Sequence, residues 1–571
     1  MKNWFLALLI VLMGFNYDAR ANADRIDSTE LMINRVAPFY SGSVVTREVL
    51  GKHLIPQASS VHIVRGGVEG YRLALRSNKD VENLNVDIDP FIAVGGDLAD
   101  ISTDVRIVKW WYQSETAPAG RFQRTKSPKL VGELLLKDHA LVMVDEVGKV
   151  NYLRDGPTSS KSYINVSAPN SNVNTIRRAV DSYEIHDSAK FTPFTLSAAV
   201  TEHLWIDLRA GQNVKAGKYS SRIRFSGDSL TDIVLPISVE VLDFDLAPNR
   251  FVTAIYYRGI LSNQKKGISS DVKTSGQLRA ELRNILDHGI EYPTIYQNER
   301  DPRLLNEQLA IRVHEGFPKD KLFSLGVQTK PAPTNKREIS TLTSRAREYY
   351  EIARQFDIET LYLYGIDEAK GKNVTAQLAG WSALRTLGIK IFVAGYEGTT
   401  ELSRGQLDVL SIGGASNTAE IARASSEGVM LLSYNNPQST AEDPVLHRRN
   451  FGLGIWQSGL DGSMNYAYQD AFGSIWNDFD HHRFRDHCYT YPTTTGVIDT
   501  LAWEGVRAGV TDLRYLSTLL YELEAAELSS VKKAMFQRAI EALKRDGLRD
   551  MDATRAKITQ LIFSVRRESN S

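Results

Sequence analysis

The 571-residue chain carries 68 Lys and Arg against 68 Asp and Glu, so its formal charge is zero and no global field steers it toward nucleic acid or an anionic membrane. With 42% hydrophobic and 24% charged residues it has the make-up of a globular protein, which excludes a disordered chain, and its length calls for more than one domain. Its single cysteine, Cys488, excludes an internal disulfide, so a large core must hold the fold.

In chain order, Lys2 is followed by an apolar run from Trp4 to Phe15 and then by Ala21-Asn22-Ala23, a small-x-small cleavage pattern. Residues 1–23 are therefore expected to be a signal peptide, and the mature protein to be exported, periplasmic or secreted. The run is too short for a spanning helix, which needs about 20 residues, and no membrane span is expected after cleavage. From 24 to 247, short alternating segments such as Tyr71 to Leu75, Ser221 to Phe225 and Ile233 to Val239 lie between turn residues, the pattern of a β-sandwich. Ala247-Pro248-Asn249 makes a natural boundary.

From 248 to 515 apolar strands alternate with amphipathic helices, as in βα units. The predicted strands are Phe251 to Tyr257, Tyr292 to Tyr296, Leu322 to Val327, Thr360 to Ile366, Lys390 to Ala394, Val409 to Ile412, Val429 to Tyr434 and Gly452 to Trp456. Eight is the number that closes a (β/α)8 TIM-type barrel. Residues 516–571 read as C-terminal helices packing on that barrel. The fold expected is thus a β-sandwich, a (β/α)8 barrel and a helical segment.

Such a barrel works at the carboxyl ends of its strands. The strand Leu361 to Ile366 ends in Asp367 and Glu368, and glycoside hydrolysis needs a proton donor for the leaving oxygen and a group that stabilises the charge growing at the anomeric carbon. An ideal strand would aim neighbouring side chains to opposite sides, so both reach one cleft only if the backbone departs from extended geometry there. Tyr257, Tyr296, Tyr364, Tyr396, Tyr434, Asn435, Trp456 and Tyr466 fall near predicted strand ends and are the candidate sugar-binding residues, since aromatic rings cover the C–H faces of sugars. Asp478, Asp480, His481, His482, Asp486 and His487 crowd one segment, but adjacent histidines lack helical zinc spacing, so a charged loop is the expectation and no metal or cofactor is assigned. Cys488 beside His487 is a poor thiol nucleophile, because adjacent side chains rarely face each other.

Three stretches together resemble glycoside hydrolase family 123 and related uncharacterised barrel proteins. These are Ala216-Gly217-Lys218-Tyr219 through Phe244, the Tyr-x-x-Asp-Glu strand end at Tyr364 to Glu368, and Trp503 through Leu516. The resemblance implies a retaining β-N-acetylhexosaminidase-like reaction in which the substrate's own acetamido oxygen attacks the anomeric carbon, an exception to the two-carboxylate scheme. It implies Glu368 as general acid and then base, and Asp367 as the group that holds the acetamido N–H. Ala369 stands where the family usually has Pro, and Ala502 where it often has Arg. The partner expected is an oligo- or polysaccharide, not nucleic acid. The alternative is a glycan-binding or exopolysaccharide-assembly protein that kept the barrel and lost the chemistry.

Overall fold

The computed structural model describes residues 26–569 apart from 28–30, 41, 50, 117–123, 170–178, 264–265, 414–417 and 435–441. The predicted signal segment lies outside the described residues. The chain divides into two compact units, one made of residues 1–38, 48–104 and 195–243, the other of 39–47, 105–194 and 244–571.

The first unit is built of antiparallel sheets. Val68–Ser77 pairs on one side with Leu31–Val36 and on the other with Thr201–Ala210. A second sheet runs Val81–Ile88, Gly217–Gly227, Leu230–Val241, with Val61–Ile63 joined in parallel at its edge. Period-two patterning drives it: Tyr219, Ile223 and Phe225 point inward while Lys218, Arg222 and Arg224 face water.

The second unit holds eight parallel strands: β1 (Val252–Ile255), β2 (Tyr292–Pro293), β3 (Leu322–Gln328), β4 (Leu361–Tyr364), β5 (Lys390–Gly395), β6 (Val409–Ile412), β7 (Met430–Ser433) and β8 (Gly462–Asn465). Each pairs with its numerical neighbour from β3 to β8, and β8 pairs with β1, which pairs with β2. A single bridge from Ile295, just past β2, to Ser324 of β3 nearly closes the ring. Alternation sorts the residues of β4 cleanly. Leu361 and Leu363 join the core between strands and helices, and Tyr362 and Tyr364 join Tyr256, Phe323 and Phe392 in the barrel interior.

The flanking helices start where capping residues stand. Helix α1 (Ser275–Asp287) opens with a capping box of Thr274 and Gln277, α2 (Pro302–His314) with Asp301 before Pro302, and α3 (Lys336–Arg354) with Asn335. Helix α4 (Leu378–Arg385) follows β4 and α5 (Thr418–Glu427) follows β6.

The eighth predicted strand, Gly452 to Trp456, is not a strand. Helix α6 (Pro444–Phe451), capped by Asp443, runs into α7 (Leu453–Ser458), which contains Trp456. Gly452 is where α6 meets α8 (Leu501–Ala525): a Cβ there would lie 2.8 Å from the Cα of Gly509 and 2.5 Å from the Arg448 carbonyl oxygen. Gly452 and Gly509 thus serve close packing of the two helices. Helices α9 (Ser530–Asp546) and α10 (Met551–Ser569) complete the C-terminal segment.

Candidate active site

After Tyr364 the chain leaves β4 through Gly365, where a Cβ would meet Val393 at 2.4 Å and Gln377 at 2.9 Å. The fully buried Gln377 accepts from the Ile366 amide at 2.7 Å and from the Thr329 hydroxyl at 2.9 Å, anchoring the turn to the barrel. Asp367 and Glu368 come next. Glu368 has φ of 48°, in the left-handed region that side-chain-bearing residues seldom adopt, and its N–H donates to the Ala394 carbonyl at 3.1 Å. That departure from extended backbone is what lets two consecutive carboxylates reach one cleft.

Each carboxylate is held by a tyrosine. The Tyr364 hydroxyl donates to Asp367 Oδ1 at 2.6 Å and itself accepts from the Ala394 N–H at 3.2 Å and from the Tyr256 hydroxyl at 3.4 Å. The Tyr396 hydroxyl donates to Glu368 Oε2 at 2.5 Å, while the Lys370 ammonium sits 4.0 Å over the Tyr396 ring. Burial, reinforced by Tyr256 and Asp367, pushes the Tyr364 hydroxyl well above its ordinary value, so it stays a donor throughout the working pH range.

Asp367 and Glu368 line a cavity of about 440 Å³ together with Tyr256, Tyr296, Tyr364, Tyr434 and Tyr466. Tyr256 is the hub of its floor, with ring centroids 5.6 Å from both Tyr434 and Tyr466 and 6.2 Å from Tyr364. Across the ring from β4 lies β8, and the residues after it build the opposite wall. There Tyr466 donates to Asp470 Oδ2, and Arg258, from the end of β1, approaches Asp470 Oδ1 at 3.5 Å. Arg258 also bonds Asp271 at 3.2 and 3.4 Å and the Tyr466 hydroxyl at 3.3 Å, and it stacks over Tyr296 at 4.7 Å. Phe472, His487 and Lys330 complete the lining.

Of the residues singled out in the sequence, Asp367, Glu368, Tyr296, Tyr364, Tyr434 and Tyr466 share this cavity, and Tyr396 reaches it through Glu368. Tyr257 does not. Alternation turns it away from the barrel interior, and its buried hydroxyl donates to Glu281 of α1 at 2.7 Å; its neighbour Tyr256 faces in. Trp456 belongs to α7 and packs near Lys544 of α9, at 6.0 Å. Asn435 lies outside the described residues. Sequence reasoning missed Tyr256, Lys330, Asp470 and Phe472, and named His487 only as part of a charged loop. The Tyr256-Tyr257 pair was the only visible hint, since one of two adjacent strand residues must face inward.

The carboxylates of the crowded segment near His487 are taken up by backbone amides of its own loop and of Ser114. Asp478 accepts from the Ser114 and Asp486 amides, Asp480 from Ser474, and Asp486 from Phe472, all between 2.7 and 2.9 Å. Burial raises the Cys488 thiol well above its usual range, so it carries no thiolate. Among the described residues, His288, Asp499 and Glu504 bring ligand atoms close enough for a metal, yet guanidinium groups occupy the position. Arg106 bonds Asp499 at 2.7 Å and Glu504 at 3.0 Å, and Arg507 lies 2.9 Å from His288 Nε2. Ala369 is buried in the core beside α4, and Ala502 lines a separate small cavity, so neither departure from the family pattern lies in the main one.

No family model matches the sequence, and no curated protein does. Solved structures do match the fold. A family 123 glycoside hydrolase from Clostridium perfringens, described for glycolipid glycan hydrolysis, superposes with a TM-score of 0.60 at 12% identity over 90% of this chain and 95% of its own. A family 5 xyloglucanase from Bacteroides ovatus overlaps at a TM-score of 0.28 with 8% identity, over 79% of this chain and 98% of its own. A family 39 glycoside hydrolase from Bacteroides cellulosilyticus overlaps at 0.32 with 10% identity, over 57% and 76%. The chain therefore resembles a family 123 glycoside hydrolase along nearly its whole length, in fold.

Proposed function

We propose that the protein is an exported glycoside hydrolase that removes N-acetylhexosamine from a glycan by a substrate-assisted, retaining route. The observation that carries the reading is the placement of Asp367 and Glu368 side by side, through the left-handed backbone at Glu368, on a cavity floored by tyrosines. Export rests on the sequence of residues 1–23 alone.

In this reading the acetamido carbonyl oxygen attacks C1, the glycosidic C1–O bond breaks, and Glu368 gives its proton to the departing oxygen. Tyr396 holds Oε2, which leaves Oε1 to carry that proton. Asp367, fixed through Oδ1 by Tyr364, accepts from the acetamido N–H with its other oxygen and stabilises the oxazolinium-like intermediate. Water then attacks C1 from the vacated side, the bond from C1 to the acetamido oxygen breaks so that the acetamide re-forms, and Glu368 takes the water's proton, which restores the enzyme and the configuration. The tyrosine floor supports the ring's apolar face.

The test incubates residues 24–571, and the Glu368→Gln variant, with aryl β-N-acetylgalactosaminide and glucosaminide and a panel of bacterial exopolysaccharides. Cleavage by the parent, reduced on the order of 10²- to 10⁴-fold in the variant, is the expected result. If both proteins bind one glycan equally and cleave none, the protein is a glycan-binding module and the catalytic assignment falls.

A further inference from the structure

We infer that Arg258 and Asp470 read the hydroxyl on C4 of the bound sugar, and so choose between gluco- and galacto-configured substrates. The inference rests on the glycosidase reading above. In an eight-stranded ring β4 and β8 stand opposite, so the wall bearing Asp470 faces the carboxylate pair across the cavity. In a pyranose ring C4 lies across from C1. A sugar with its anomeric carbon at Asp367 and Glu368 therefore presents its C4 substituent to that wall.

The wall has the chemistry of a hydroxyl site. The Asp470 side chain is 3% exposed and offers acceptors. Asp271 and Tyr466 engage three of the five N–H groups of Arg258, through Nε and one hydrogen on each terminal nitrogen, which leaves each terminal nitrogen one more to donate. Arg258 Nε, already bound to Asp271, lies 3.5 Å from Asp470 Oδ1, which sets the guanidinium beside the carboxylate, so the N–H groups left on the terminal nitrogens and the Asp470 oxygens can meet one hydroxyl, which needs both a donor and an acceptor. An acidic substituent fits less well, because Asp271 and Asp470 bring two negative charges to one positive. Burial opposes the charge on Arg258, but Tyr466, Asp470 and Asp271 outweigh it and keep the guanidinium protonated. Its side chain is 18% exposed and lines the cavity, so it is open to a ligand there.

The experiment measures binding by ligand-observed NMR in the Glu368→Gln protein, and kcat/KM in the parent, with phenyl N-acetyl-β-galactosaminide, phenyl N-acetyl-β-glucosaminide and the 4-deoxy analogue. With Asp470 intact, one epimer is favoured and the 4-deoxy compound binds roughly 100-fold more weakly than that epimer. Asp470→Asn shrinks this discrimination to within about 3-fold, chiefly through KM. Tyr466→Phe, which leaves the carboxylate but removes its donor, erodes the same ratio about 5-fold and covers the case in which Asp470→Asn does not fold. Full discrimination retained in a folded Asp470→Asn protein, or an unchanged ratio in Tyr466→Phe, overturns the assignment. C4-dependent binding without any cleavage by the parent overturns the glycosidase reading and leaves the assignment standing. Failure of both sugars to bind at millimolar concentration overturns both.

Discussion

The Tyr364 hydroxyl is the smallest unit on which the site depends. It receives the Ala394 N–H and the Tyr256 hydroxyl and spends its only proton on Asp367, so its direction is fixed by its neighbours. Tyr364→Phe strands the Ala394 N–H and releases Asp367 while leaving Glu368 and its tyrosine partner unchanged. Steady-state kinetics should show kcat lowered about 10- to 100-fold with KM changed less than about 3-fold, the signature of a lost orientation rather than a lost contact. An equal loss in KM would make Tyr364 a binding residue. At this scale the sequence is legible to within one residue: the strand end points to Tyr257 whereas Tyr256 faces the cavity, because strand ends give alternation no fixed phase. Asp470 could not be read, since it lies in a two-residue ladder, Gln469–Asp470 against His487–Cys488, too short to leave a period in the sequence.

Among the elements, β8 carries the clearest steric demand. A Cβ on Gly462 would lie 2.1 Å from the Val252 carbonyl oxygen of β1, an atom of rigid backbone that cannot yield. Gly462→Ala should cost about 1–3 kcal/mol or more, read as a lowered midpoint in urea unfolding; an unchanged midpoint would mean that β1 and β8 do not pair as described. The same glycine explains why β8 escaped notice. Gly462-Ser463-Met464-Asn465 has no apolar run, whereas the other seven strands were placed from theirs. Gly452 to Trp456, with its apolar residues, looked more like a strand and is helical because Asp443 and Pro444 start a helix just upstream.

For the molecule as a whole, stability should respond to pH through a buried acid. Burial, and then the nearby Glu442, push the Glu133 carboxyl up to about 8, although the Trp111 indole N–H donates to it at 2.7 Å. The folded protein thus keeps a proton that the unfolded chain releases above about pH 4.3. Between there and about 8 the unfolded state binds fewer protons, so this group lowers stability steadily as pH rises. Glu133→Gln should raise Tm at pH 8 by about 2 °C or more and leave it unchanged at pH 4, measured by calorimetry. An equal effect at both values would mean that packing, not ionisation, sets the difference. The two-part plan of antiparallel sheets and barrel was legible because periodicity changes at Arg250, whereas this acid's partners come from segments far apart in sequence.

The left-handed backbone at Glu368 also has a bearing on how the chain could change over time. A side chain in that conformation costs roughly 1–2 kcal/mol that a glycine would not incur. Glu368→Gly should therefore be at least as resistant to heat as Glu368→Ala, the reverse of the order found within helices and strands, where glycine is the weaker choice. A lineage that did not need the proposed reaction would gain robustness by drifting to glycine there, so on the glycosidase reading the carboxylate is held at a cost to stability.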